Sequence, residues 1–237
     1  MDITDPKIVD LKKMVTAAQE EFDMAVIYHE VWKPAAYDKD LHSRMGQSYA
    51  SQAFLVTRVA LRREMVLALM RLWDKDKRAI RMSLVDATLR ERTVIDTLAL
   101  DRAKRSDWPG VIDSMRADLQ AKADEVLELT GKYFEGGTRS EVRKNLRRLR
   151  HEQLAHRQIA PSTVTSADML DEEVEEFYQD TAKIIRTLLS LVTATAYDPL
   201  ETAKIYERYA AAFWAAARGE RTEGHPHFRM QPPISPP

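Results

Sequence analysis

A chain of 237 residues with no cysteine and a net charge of −1 has no disulfides, no thiolate metal sites and no global field drawing it to nucleic acid. Its length lies between one large domain and two small ones, and a single domain of this size buries roughly 70% of its unfolded surface, enough for a real core. Charged residues make up 31%, above the usual quarter or so, which suits amphipathic helices with densely charged outer faces.

In chain order, Asp5-Pro6 reads as an N-cap followed by proline at the first helical position. Ile8, Leu11, Val15, Ala18, Phe22 and Ala25 then recur at helical spacing until Trp32-Lys33-Pro34 ends the element. A short turn or helix runs to Gly46. Residues 48–74 read as one long helix with Leu55, Val59, Val66, Met70 and Trp73 on a stripe. Leu61, Leu67, Leu69 and Leu72 widen that stripe almost all round, so the helix belongs at the centre of the fold. Residues 83–104 hold one or two shorter helices, the first capped by Ser83. Asp107-Trp108-Pro109 opens another with Ile112, Met115, Leu119, Val126, Leu129 and Tyr133 inward, and Gly136-Gly137 stops it.

Thr138-Arg139-Ser140-Glu141 is a capping-box pattern opening a basic helix. Its apolar stripe is Val142, Leu146 and Leu149, and the same spacing continues to Gln153 and His156. His156 therefore faces inward or into a contact, and Arg150 lies about 100° further round. Pro161 marks the end, and residues 161–167 form a linker. An acid-rich helix start follows, with Val174, Phe177, Ala182, Ile185, Leu188 and Val192 leading to Tyr197. Asp198-Pro199 begins a last helix bearing Tyr206, Tyr209, Phe213 and Trp214. From Gly219 onward prolines and polar residues replace the periodicity, the signature of a disordered tail. With seven glycines, no repeat and no sustained alternation, the fold class is all-α. We expect an up-and-down bundle of about six or seven helices in one domain over residues 1–218.

Residues 138–157 carry seven Arg or Lys against Glu141 and Glu152, whereas residues 168–180 carry seven acids and no Lys or Arg. Such runs are either solvated or mutually paired helix faces, or a local cationic surface for phosphates. The first residues lack the basic-then-apolar pattern of a signal peptide, and the longest aliphatic stretch, residues 65–70, is too short to span a bilayer. The expectation is a soluble, cytoplasmic protein.

Chemistry concentrates in Arg147-Arg148-Leu149-Arg150-His151-Glu152-Gln153-Leu154-Ala155-His156-Arg157. A histidine titrating near neutrality beside a fixed cation is a set that a metal-independent ribonuclease uses. The stretch is not a zinc site: His151 and His156 are five apart, so on a helix they diverge by roughly 140°, where the metalloprotease helix needs a spacing of four. His225-Pro226-His227 reads as solvated tail. Phosphate-binding glycine loops, nucleophile elbows and dinucleotide fingerprints are missing, and neither a metal nor a cofactor is expected. Taken one by one, His156 reads as a structural histidine on an apolar stripe, Arg150 as an ion-pair or surface arginine, and Trp73-Asp74 as a helix end.

Arg150 and His156, with five residues between them and His151 directly after the arginine, resemble the motif of the HEPN superfamily (higher eukaryote and prokaryote nucleotide-binding domains). Arg62-Arg63-Glu64-Met65 leading to Arg71-Leu72-Trp73-Asp74, then Ala155-His156-Arg157 some eighty residues later, is similar to its abortive-infection branch. The resemblance extends over most of the first 215 residues. It implies a HEPN-like bundle and a toxin-like or phage-defence endoribonuclease, a hydrolase of RNA acting as a homodimer. Arg150 and His156 would be catalytic, contributed by the two subunits to a shared cleft, with His151 helping to position or exchange a proton. Arg147, Arg148 and Arg157 would attract the RNA backbone. An antitoxin or nucleotidyltransferase partner belongs to the same analogy. Two alternatives stay open: a non-catalytic HEPN-type module that binds RNA or a protein partner, and a purely architectural bundle.

Overall fold

The computed structural model describes residues 5–46, 50–76, 78–104, 110–150 and 171–217. The expectations for Asp107-Trp108-Pro109, His151, His156, Arg157, the linker 161–167 and the tail 219–237 lie outside them.

Nine α-helices make up the described residues: α1 (Pro6–Tyr37), α2 (Lys39–Gly46), α3 (Ser51–Arg71), α4 (Met82–Leu89), α5 (Arg92–Ala103), α6 (Val111–Tyr133), α7 (Ser140–Leu149), α8 (Asp171–Leu188) and α9 (Pro199–Ala216). The count exceeds the expected six or seven because residues 39–46 close a short helix of their own and residues 82–103 split into two. At the start of α1, the Asp5 side chain accepts from the Lys7 amide at 2.9 Å and Pro6 occupies the first helical turn. The helix does not stop at Pro34. It continues one turn, with the Asp38 amide bonded to the Pro34 carbonyl at 2.9 Å. Proline in a helix interior costs about 3 kcal/mol, but Trp32, Ala35 and Ala36 are buried there and offset it.

Helix α1 packs against α3 on one side and α9 on another, while α6 lies against α5 and α8. The main core joins Phe22, Leu69, Leu98, Val126, Phe177 and Ile185 from five of these helices. A smaller cluster of Leu41, Met45, Phe54 and Trp214 closes the end formed by α2, the start of α3 and the end of α9. The two halves of α3 behave differently. Residues Met65 to Met70 are all buried, as befits a central helix. The first half is not: Leu55, Val56 and Val59, at 45%, 68% and 66% exposed, turn away from the core because only the Phe54 side meets a neighbour.

Three local expectations need correction. Ser83 lies inside α4, whose N-cap is Arg81 without a side-chain bond. Ile112 is exposed and Val111 is the buried residue, since Gly110, at φ 86°, turns the chain into α6 one position earlier. Helix α7 begins at Ser140 with Arg139 as N-cap and no side-chain cap, so the capping box does not form. A tighter device replaces it. Gly136 has φ 83°, and Gly137 passes so close to the end of α6 that a Cβ there would come within 2.2 Å of the Gly131 carbonyl oxygen. The Arg139 amide then bonds the Lys132 carbonyl at 2.8 Å, folding α7 back over α6.

After α8 the chain makes a π-helical turn (Leu189–Thr193) that ends at Ala194, φ 55°. Arg102 of α5 donates to the carbonyls of Ser190 and Leu191 in that turn, supplying donors for oxygens the wide turn leaves open.

Candidate active site at the end of the basic helix

Helical geometry sorts the side chains of α7 before any contact is considered. Val142, Leu146 and Leu149 form the buried seam. Arg139, Arg143, Arg147 and Arg150 fall on a strip beside it at 100° per residue and are half-buried, whereas Glu141, Lys144 and Arg148 point outward and are exposed. Each arginine on the strip meets a different environment. Arg139 makes a forked pair with Glu176 of α8, at 2.6 and 3.1 Å. The Arg143 guanidinium carbon lies 5.9 Å from the centre of the Trp73 ring and 5.5 Å from that of Phe134. No acid among the described residues pairs with Arg147 or Arg148. Arg150, immediately after α7, donates from Nη2 to Asp74 Oδ2 at 2.7 Å.

Asp74 reaches Arg150 because Trp73 locks the end of α3. The Trp73 ring is buried edge-on against Tyr133 and Phe134 and beside Phe177, each at 5.7 Å between centres. The backbone is tied down in the same place: the Met82 amide bonds the Leu72 carbonyl at 3.1 Å. The next side chain, Asp74, then divides its two oxygens. Oδ1 accepts the amides of Lys75 and Asp76 at 2.6 and 3.2 Å, closing the turn, and Oδ2 takes Arg150. Partial burial by itself pushes the Asp74 carboxyl up, but the Arg150 and backbone bonds outweigh it and hold the group below the usual carboxylate range. Trp73-Asp74 is thus a helix end, as its sequence suggests, and also the seat of Arg150.

Of the residues singled out from sequence, Arg147, Arg148 and Arg150 stand within one turn of each other. Arg147 and Arg150 share the half-buried strip, and Arg148 faces out. His151, His156 and Arg157 lie outside the described residues. The acidic run does not simply neutralise the basic one. Glu176 pairs with Arg139, but Asp171 goes to Arg62 of α3, Asp180 to Lys132 of α6 and Glu175 to His29 of α1. Among the described residues the end of α7 therefore keeps a cationic surplus.

The His29 cluster is the feature that sequence reading missed. His29 is 2% exposed. Its Nδ1 lies 2.8 Å from Glu30 Oε1 and its Nε2 2.8 Å from Glu175 Oε2, and its ring stacks on Tyr178 at 4.1 Å. The signal was present, since His29 continues the Phe22, Val26 spacing of four and three on the apolar face of α1. Ionised carboxylates only accept, so both ring nitrogens must donate to satisfy them. Burial pulls the His29 pKa down, and the bonds to Glu175 and Glu30 more than reverse this, leaving it above the ordinary value of 6.5. A histidine with a raised folded-state pKa adds stability that is complete below its unfolded value and is lost as pH climbs through the folded one. Stability should therefore fall from pH 6.5 upward, and His29→Gln should flatten that part of the profile, measured by urea unfolding between pH 6 and 9.

The described residues form an all-α set of helices without strands, whose basic helix ends on Arg150, anchored to Asp74, six positions before His156 in the sequence. The family model for AbiU2 HEPN proteins matches residues 8–213, and the chain belongs to that family, in the abortive-infection branch of the superfamily. The match contains Asp74, Arg150 and His156. Neither a curated protein nor a solved structure matches the chain. No helix among the described residues is long and apolar enough to cross a membrane.

Proposed function

We propose that the protein is a metal-independent endoribonuclease of toxin or phage-defence type, working on cytoplasmic RNA. The observation that carries this reading is Arg150: a half-buried guanidinium at the end of a cationic helix, seated on Asp74 through one nitrogen, in a member of an abortive-infection HEPN family. In RNA the attacking 2′-hydroxyl already lies beside the phosphorus, so no separately activated water is needed. The O2′–P bond forms and the P–O5′ bond breaks, leaving a 2′,3′-cyclic phosphate and a 5′-hydroxyl. His156 takes the 2′ proton or delivers one to the departing O5′, and His151 helps orient or exchange it. Arg150 forks onto the phosphate oxygens, where negative charge grows in the transition state. Arg147, Arg148 and Arg157 draw in the backbone.

A second copy of the chain belongs to this reading, placing Arg150 and His156 of two subunits around one phosphate. The outward stripe of α9, Ile205, Tyr209 and Phe213, together with Leu55, Val56 and Val59 of α3, supports self-association, because all six are exposed apolar residues. A protein antitoxin or a nucleotidyltransferase would act on the same assembly.

The competing reading, RNA binding without cleavage, draws on Arg147 and Arg148, with which no acid among the described residues pairs. Replacing the 2′-hydroxyl by hydrogen at a mapped cleavage position separates the two. Cleavage there should disappear while affinity for the oligonucleotide is kept. Binding with no cut ends on unmodified RNA would establish the non-cleaving module, and cutting at the deoxy position would remove the 2′-hydroxyl mechanism.

A further inference from the structure

Arg143 is a partly buried arginine with no carboxylate partner among the described residues. Its Nε is buried and has no hydrogen-bond partner. Arg139 and Arg150, on the same strip of α7, each have a carboxylate at 2.6–2.7 Å; Arg143 has none among the described residues. Its neighbours are the faces of Trp73 and Phe134 and the like charge of Arg147. Burial first and Arg147 second disfavour its charge, with Glu135 as a weaker counterweight. A guanidinium used for packing alone would cost less as methionine or leucine, because a desolvated cation beside a second cation is unfavourable.

We infer that Arg143 is a phosphate-binding residue for the RNA strand, about two helical turns along α7 from Arg150. The inference rests on the ribonuclease reading of this same helix. At 1.5 Å of rise per residue, Arg143, Arg147 and Arg150 follow one another by about 6 and 4.5 Å, within a Debye length, so their fields add. A bound phosphate supplies the counter-charge that Arg143 lacks among the described residues and relieves the Arg143–Arg147 repulsion. The cation–π contacts with Trp73 and Phe134 hold the guanidinium in place before RNA arrives, which lowers the ordering cost of gripping a phosphate. The residue is only half-buried, so the group stays within reach of the solvent side.

The test uses the full-length His156→Ala protein, which binds without turnover, with and without Arg143→Met or Arg143→Lys, and a single-stranded RNA oligonucleotide. Arg143→Met should weaken binding about tenfold and reduce the slope of log K against log salt by about 0.7, the value for one phosphate on a single strand. Arg143→Lys should restore the slope but not all of the affinity. Inorganic polyphosphate should raise the melting temperature of the parent more than that of Arg143→Met. An unchanged slope and polyphosphate response, with a lowered melting temperature, would make Arg143 a packing residue and overturn the inference. If the parent binds no RNA and the wild-type protein cuts none, the ribonuclease reading itself falls and takes this one with it.

Discussion

Arg150→Ala should lower single-turnover RNA cleavage by about 10²–10³-fold, the usual loss when one transition-state donor is removed, with the fold intact. The pair it breaks is a fifth exposed on each side, at 21% and 23%, and Asp74 keeps its two amide bonds when the guanidinium goes. Arg150→Lys should recover little. A lysine still pairs with Asp74 as a point charge, but it cannot hold Asp74 and two phosphate oxygens at once. Asp74→Asn should give an intermediate loss, about tenfold, because the turn survives while the charge that seats Arg150 is removed. Equal activity in all four proteins, measured at saturating RNA, would take Arg150 out of the mechanism.

Phe177→Ala should cost about 3–5 kcal/mol in urea unfolding, a large part of a typical domain's 5–15 kcal/mol. Phe177 is fully buried on α8, with ring centres 4.8 Å from Tyr133 and 5.7 Å from Trp73. Removing it opens a cavity under the residue that aims Asp74 at Arg150, so cleavage should fall along with stability. Phe213→Ala is the contrast. Phe213 is 58% exposed, and its loss should leave monomer stability within about 0.5 kcal/mol while weakening any self-association. Equal losses of stability at the two positions would contradict this division between core and surface.

Much of this architecture is legible in the chain because apolar spacing reports burial directly. Leu11, Phe22, Leu119, Val126, Leu146 and Leu149 all lie where their periodicity places them. Where expectation failed, local rules met tertiary ones. Pro34 should end a helix, but packing of Trp32 and Ala35 carries α1 past it. The capping-box pattern at Thr138 is unused because Gly136 and Gly137 bring α7 against the carbonyls of α6. Leu55 and Val59 fit a core stripe by spacing, yet no helix among the described residues covers them, and periodicity cannot say how far a neighbour extends.

The candidate site divides in the same way. Arg147, Arg148 and Arg150 are readable from the motif, but their partners are not. Nothing in the spacing joins Asp74 to Arg150, 76 residues apart, or separates Arg143, which lies over two aromatic rings, from the other arginines of its run. His29 and Glu175, 146 residues apart, are likewise brought together only by the packing of α1 on α8. Pairings of this kind belong to the topology, so they become visible only once helices are docked.

The most direct measurement is cleavage of end-labelled total RNA by the purified protein in excess EDTA, beside His156→Ala, with the new termini identified. The account predicts cutting by the wild type that is unaffected by the chelator, ends bearing 2′,3′-cyclic phosphate and 5′-hydroxyl, and no cutting by the variant. Cleavage that needs a metal, or that persists at the wild-type rate without His156, would contradict it.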